Sequence, residues 1–346
     1  MLLLGIETSC DETAMAIVSD GITLLSNVIG SQIDEHNRYG GIVPEVASRQ
    51  HMLSVLPIFH EAMASASIDS KDLDGIAVTM GPGLAGSLLV GVNFAKGLAL
   101  GLGVPLFGVN HLEGHIYATW LEDQTDPGHM PGFPLVCLLA SGGHTELVLM
   151  KDHKDYQRLG STRDDAAGEA FDKAARVLGV GFPGGPQIQR LSGQARWLEP
   201  MPRAWLEGSL EFSFSGLKSA FIRRVHALSS GFPAATHSAD ASEHSSLPQA
   251  ELAAGFQEAV VDVLVGKTLM AVRQHSAKGV IMGGGVAANS RLRQLMWDKS
   301  HVPVFVPQPI LCTDNGAMVA AAADFLVSKG LQPSLDFDAT PNLRLE

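Results

Sequence analysis

Gly81-Pro82-Gly83-Leu84-Ala85-Gly86-Ser87 follows the apolar run Ile76 to Met80 and leads into a helical stretch. The order strand, glycine turn, helix aims backbone amides at an anion, because no side chain stands in the way. The same order returns at Val280 to Met282 and Gly283-Gly284-Gly285-Val286-Ala287-Ala288-Asn289, an offset of 202 residues. A second pair lies upstream of these. Leu2 to Ile6, the polar segment Glu7 to Thr13, then Ala14 to Val18 read as a hairpin. Leu135 to Leu139, Ala140 to Thr145 and Leu147 to Met150 repeat that plan, with Ser9-x-x-x-Thr13 and Ser141-x-x-x-Thr145 at an offset of 132. Each half of the chain thus carries a hairpin loop and a later glycine turn.

Taken singly, each turn is a common αβ connection; four in matched pairs describe two similar halves with loops facing a shared cleft. The fold class expected is α/β, a duplicated actin-like (ASKHA) ATPase fold with a nucleotide or metal cleft between two lobes. The lobes are placed at 1–130 and 131–346. The offsets differ by 70 residues, 202 minus 132, so the second lobe should hold an inserted helical subdomain, about 160–250. The last helical run, Ala-rich through Leu326, is expected to pack back on the N-terminal lobe.

His111-Leu112-Glu113-Gly114-His115 opens another helical stretch just after an apolar segment. Residues four apart stack on one helix face, so two imidazoles there can share a metal ion. With 13 histidines in 346 residues, roughly half a pair at this spacing arises by chance, so the context decides. A protease of the His-Glu-x-x-His type keeps its glutamate beside the first histidine. Here Glu113 is turned about 200° from His111 around the axis and points away from a shared ion. Asp314, in Cys312-Thr313-Asp314-Asn315-Gly316, reads either as a helix cap or as a third ligand, if that turn faces His111.

Composition narrows the class. A chain 46% hydrophobic and 17% charged can bury sizeable cores. Its 37 glycines and 6% aromatics fit many tight turns. Cys10, Cys137 and Cys312 are far apart and odd in number, which reads as reduced thiols in a cytoplasmic protein. The first residues carry no basic leader and meet Glu7 after an apolar run, unlike a signal peptide. Gly75 to Ala95 is uncharged, yet Pro82 and its glycines make it strand, turn and helix rather than a membrane span. A net charge of −12 argues against a whole-surface nucleic-acid binder, so any RNA needs a local patch or a basic partner.

In the second half, Asp165, Glu169 and Asp172 fall at i, i+4 and i+7 and need cations, hydroxyl donors or water if they share a helical face. Phe182-Pro183-Gly184-Gly185-Pro186 reads as a rigid loop able to approach a ligand closely, and Ser213-Phe214-Ser215-Gly216-Leu217-Lys218 follows. Leu228 to Pro248, rich in Ser, Ala, His and Pro, reads as an exposed loop without chemistry.

These stretches together resemble the universal tRNA threonylcarbamoyladenosine transferase family, whose bacterial form is TsaD. The resemblance rests on Gly5-Ile6-Glu7-Thr8-Ser9-Cys10-Asp11-Glu12-Thr13, Tyr39 to Arg49, His111 to His115, Ser141 to His144, Asp164 to Lys173, Phe182 to Pro186, Ser213 to Lys218, Gly283 to Asn289 and Thr313 to Gly316. It implies transfer of the threonylcarbamoyl group from threonylcarbamoyl-AMP to the exocyclic amine of the adenosine 3′ to the anticodon, in tRNAs reading codons that start with adenine, with AMP released. It implies one divalent ion on His111, His115 and Asp314, with iron(II) ahead of zinc. Leu139, Ala140, Ser141, Gly142 and Gly143 would line the acyl-adenylate, Asp172 would accept ribose hydroxyls, Gly185 would admit the ligand, and Asn289 would meet adenine or ribose. Gln189 stands where the pattern carries Asp, so no ribose contact is carried over to it. Asp11 and Glu12 would position the acceptor amine, with a structural ion pair as the alternative. Lys218, Arg223, Arg224, Arg291 and Arg293 are too few to hold tRNA, which implies a TsaB-like paralogue and a TsaE-like ATPase as partners, or a homodimer without them.

Three other readings compete. An ATP-dependent kinase or ATPase of the same fold would use the glycine turns; a metalloprotease is disfavoured by Glu113; and a non-catalytic scaffold would lack the histidine pair.

Overall fold

The computed structural model describes residues 1–123, 132–230 and 247–345. The apolar runs become the strands of two five-stranded sheets. The first contains β1 (Leu2–Glu7), β2 (Glu12–Ser19), β3 (Thr23–Ser31), β4 (Gly75–Gly81) and β5 (Leu106–Asn110), in the order β3-β2-β1-β4-β5. Between its strands lie α1 (Ile33–Asn37), α2 (Pro44–Ala66) and α3 (Ala85–Leu102), and α4 (His111–Tyr117) follows β5. The second sheet contains β6 (Leu135–Ala140), β7 (Thr145–Asp152), β8 (Asp155–Ser161), β9 (Gly279–Gly283) and β10 (Val304–Phe305), in the order β8-β7-β6-β9-β10.

The two orders are the same once each half is counted from its own first strand. In both, an antiparallel meander of three strands continues into two parallel ones. The hairpin register repeats as well: Glu7 faces Ala14 and Leu139 faces Glu146, both at the offset of 132 read from the loops. The fourth strand is less exact. Leu3 pairs with Gly75 and Leu135 with Gly279, an offset of 204 rather than the 202 of the glycine turns, and the first sheet slips register between Thr79 and Gly81.

The extra length of the second half lies between β8 and β9, as α5 (Ala167–Leu178), α6 (Gly184–Ser192), α7 (Ser215–Ser230) and α8 (Gln249–His275). Their apolar faces pack with β6 and β7 around Phe171, Phe212, Phe221 and Phe256. Because α5 begins at Ala167, Asp165 stands before the helix, and the expected stripe of three acids on one helical face does not form. The loop expected from Leu228 starts later, since Leu228 still belongs to α7; residues 231–246 of it lie outside the described residues.

Beyond β9 come α9 (Ser290–Lys299), α10 (Pro309–Cys312) and α11 (Gly316–Ser328). The alanines of α11 pack against α4, β1 and β2 in a core that joins both sheets. This close approach needs two glycines: a Cβ on Gly5 would sit 2.0 Å from the Gly316 carbonyl oxygen, and one on Gly316 2.5 Å from the Ala16 nitrogen. The start of α11, and Asp314 just before it, is thereby set against the end of β1. The uncharged segment Gly75 to Ala95 is β4, a turn and most of α3. By length and composition α3 is apolar enough to cross a membrane, but its Leu88, Val92, Ala95 and Ala99 are buried against the protein.

Candidate active site

Asn110 caps α4 by accepting a hydrogen bond from the Leu112 amide at 2.8 Å, which starts the helix at His111. One turn on, His115 places its ring 4.6 Å from that of His111, centroid to centroid. Asp314 arrives from the α10–α11 turn, where Asn315 caps α11 by accepting from the Met318 amide at 2.9 Å. Its Oδ1 lies 3.6 Å from His111 Nε2 and 3.2 Å from His115 Nε2. One ligand atom from each residue falls within 4.8 Å of the others. Both His115 ring nitrogens are buried and lack a hydrogen-bond partner, so the short approach to Asp314 is not an aligned hydrogen bond. Two imidazoles and a carboxylate left in this way suit a shared cation.

Behind His111 stands Glu7, a member of the Gly5 to Thr13 motif to which the sequence alone assigns no role in the site. Glu7, fully buried at the end of β1, places Oε2 3.1 Å from His111 Nδ1 and accepts from the Thr79 hydroxyl at 2.6 Å. Ser9 Oγ lies 3.2 Å from the same Nδ1. A carboxylate behind a metal-binding histidine fixes its orientation and raises its basicity. Its signal was an acid inside an otherwise apolar strand, costly to bury without a partner. Burial pushes the His111 imidazole down, but Asp314 and Glu7 outweigh it and raise it to about 9. Burial opposes ionisation of Asp314 too, yet His111 and His115 bring it down to about 2. His144, on the β6–β7 loop, is lowered to about 4 by burial and by the two histidines, so it stays neutral. The sequence motif contained His144, but no role had been given to it.

His111 and Asp314 line a cavity of about 660 Å³ between the sheets, and His115 is buried behind them. Asp11 and Glu12 from the β1–β2 loop line it, as do Ser141, Gly142 and Gly143 from the β6–β7 loop, Asp172 from α5, and Gly185, Gln189 and Asn289. A Cβ at Gly142, Gly143, Gly185 or Gly285 would meet nothing within 4 Å, so these backbones face open space. Burial, followed by Asp314 and Asp11, raises Glu12 to about 9, and burial with Asp314 raises Asp11. Among the described residues neither Asp11 nor Glu12 forms an ion pair with a Lys, Arg or His side chain.

Other expected residues are engaged elsewhere in the fold. Leu139 and Ala140 are buried β6 residues and do not line the cavity, because strand pairing on both sides leaves only the loop beyond them open. Asn289 is largely committed: Oδ1 accepts from the Leu292 amide at 3.0 Å and Nδ2 donates to Gln257 at 2.9 Å. Asp172 Oδ1 accepts from the Gly184 amide at 2.6 Å, which shapes the glycine-rich loop as well as the cavity wall. Gln189 accepts from the Ser290 amide at 2.8 Å. Asp165 is bound by Lys173 at 2.6 Å and Lys218 at 2.7 Å. Arg224 and Arg291 are paired with Glu199 and Glu258, and Arg293 donates to the carbonyls of Ala287 and Pro307. Four of the five cations read as a weak tRNA patch are therefore engaged within the protein. Glu113 lies by Tyr156 and Lys154, away from the triad, and burial raises it to about 7.

The sequence profile described as tRNA N6-adenosine threonylcarbamoyltransferase, TsaD, matches residues 23–321. The chain belongs to that family. Relatives bearing the same name include one from Thermomicrobium roseum, 55% identical over all of this chain and 97% of its own length. One from Dehalococcoides mccartyi is 52% identical over 99% of both chains, and one from Moorella thermoacetica 50% over 99% of this chain and 97% of its own. Among solved structures, HypF from T. kodakarensis shares 15% identity at a TM-score of 0.61, covering 95% of this chain and 48% of its own. Component A of the (R)-2-hydroxyglutaryl-CoA dehydratase of Acidaminococcus fermentans shares 16% at 0.55, over 95% and 99%. These likenesses concern the fold, which is the actin-like one the doubled sheets describe. The shared name of the close relatives supports tRNA modification and not the kinase reading.

Proposed function

We propose that this family member transfers the threonylcarbamoyl group from threonylcarbamoyl-AMP to the exocyclic amine of the adenosine 3′ to the anticodon, in tRNAs reading codons that start with adenine. The observation that carries this reading is the His111, His115 and Asp314 cluster beside a cavity whose open glycine loops suit an acyl-adenylate. When bound, an iron(II) or zinc ion at the three residues supplies Lewis acidity to an acyl or phosphate oxygen, an effect worth several kcal/mol.

The protein's own groups do the rest. Ser141, Gly142 and Gly143 receive the adenylate phosphate and carbonyl oxygen, and Asp172 and Gly185 border the ribose. Asp11 and Glu12 hold the acceptor amine. As its nitrogen bonds to the carbamoyl carbon, the anhydride C–O bond breaks, AMP departs with the bonding pair, and the carboxylate of Asp11 takes the amine proton. Glu12, held protonated by burial and its acidic neighbours, donates a hydrogen bond in the same site.

The same reading takes the lobes as 1–130 and 131–346 and the protein as cytoplasmic. A TsaB-like paralogue, with a TsaE-like ATPase, is the partner expected. Support for it comes from α2 and α3, where the apolar side chains of Met52, Leu53, Leu56 and Leu89 are exposed. The test of the whole reading is His111→Ala: bound metal and threonylcarbamoyl transfer should be lost together, and a metal-free variant that modifies tRNA normally refutes it.

A further inference from the structure

Helix α2 turns one polar side chain inward that the reaction, as described, leaves unused. His51 is fully buried between α2 and the β1–β2 loop. Its Nε2 lies 3.0 Å from the carbonyl oxygen of Cys10. A carbonyl only accepts, so Nε2 carries the hydrogen and Nδ1 accepts, from the Thr13 hydroxyl at 2.8 Å and from Gln32 Nε2 at 3.4 Å. Gln32 is fixed in turn: its Oε1 accepts from His36 Nε2 at 3.2 Å, and its backbone amide donates to the carbonyl of Asp11 at 3.1 Å. Ser87 Oγ gives the Cys10 carbonyl a second donor at 3.3 Å.

The Cys10 carbonyl is thereby tied to two buried side chains on other elements, and the Asp11 carbonyl to the backbone amide of Gln32, whose own side chain is held by His51 and His36. We propose that His51 is a positioning residue for the transfer reaction, holding the Cys10–Asp11 turn so that the two carboxyl groups meet the acceptor amine. The inference rests on the role proposed above for these acids. The metal-binding side chains come from α4 and the α10–α11 turn, and Glu7 of β1 holds His111 beside the weaker Ser9 contact, so a shift at Cys10 and Asp11 should leave them in place. A displacement of about 1 Å in a reacting group costs about a hundredfold in rate.

The test uses the reconstituted system with partner proteins, acyl-adenylate and tRNA. His51→Phe fills the ring's space without its hydrogen bonds, and should lower kcat about a hundredfold with bound metal and the KM for acyl-adenylate unchanged. His51→Gln keeps an amide N–H within reach of the Cys10 carbonyl and should recover most of the loss. A His51→Phe enzyme at the wild-type kcat, or a His51→Gln enzyme no faster than His51→Phe, overturns the proposal. Should His51→Phe fail to fold, Thr13→Val, which removes the donor to Nδ1, decides in the same assay: an unchanged kcat sinks the idea. Asp11→Asn and Glu12→Gln separate the two failures. If both keep full rate, the acids' role falls and the positioning with it; if both lose rate while His51→Phe does not, His51 alone is wrong.

Discussion

Glu7 shows how one buried carboxylate decides what its neighbour can do. It sets His111 by its hydrogen bond to Nδ1, leaving Nε2 toward Asp314 and His115. Glu7→Gln keeps the shape but removes the charge, and metal affinity should fall about 10–100-fold, read by competition with a chelator. The same charges make metal binding pH-dependent. In the metal-free chain His111 holds a proton up to about 9, and a cation must displace it. Affinity is therefore expected to drop about tenfold for each pH unit below that value, measured by metal titration across neutral pH. The stability of the metal-free chain follows from the same sign. A histidine raised from 6.5 to about 9 contributes stability fully present below 6.5 and lost as pH rises through 9. Glu12, raised from 4.5 to about 9, acts in the same direction. Thermal melts of the metal-free chain should thus decline between neutral pH and 9, and a metal-loaded chain should decline less; equal slopes would contradict the assignment.

At the scale of elements, the site exists because α11 lies flush on β1. The contact of Gly5 with Gly316 leaves no room for a methyl group on either side. Gly316→Ala should destabilise the fold by about 1–3 kcal/mol through overpacking, checked by urea denaturation, and should loosen Asp314 from the histidines, seen as weaker metal binding. How much of this was legible depends on range. Strand, turn and helix patterns are local, and repeated spacing exposed the doubled topology and the hairpin register. The helical pair His111 and His115 was legible for the same reason. The approach of Asp314, more than 190 residues away, was carried by resemblance rather than by spacing. Nor could local pattern show that Leu139 and Ala140 are sealed by strand pairing, that Asp165 precedes its helix, or that Asn289 is occupied as a cap. Each of those depends on which partner reaches the residue first, and that is a matter of tertiary packing.

Over the whole molecule, a net charge of −12 meets a polyanionic substrate, and Lys218, Arg224, Arg291 and Arg293 are drawn into internal contacts. Phosphate binding supplies most of the affinity of such complexes and needs free cations, so the chain alone should hold tRNA weakly. The outer face of α2 offers the complementary resource. Met52 and Leu53 are each 70% exposed and Leu56 is 52% exposed, whereas His51 on the same helix is buried. An apolar face of this kind suits the docking of another protein, and a partner bringing basic residues would restore the missing charge. Leu53→Glu combined with Leu56→Glu should leave the fold and metal content intact, because both side chains are exposed and outside the core, while abolishing co-elution with the paralogue and lowering tRNA modification in the reconstituted system. Acyl-adenylate binding to the variant, measured directly, should be unchanged. If the variant still forms the complex, the partner docks elsewhere, and the exposed leucines of α2 need another explanation.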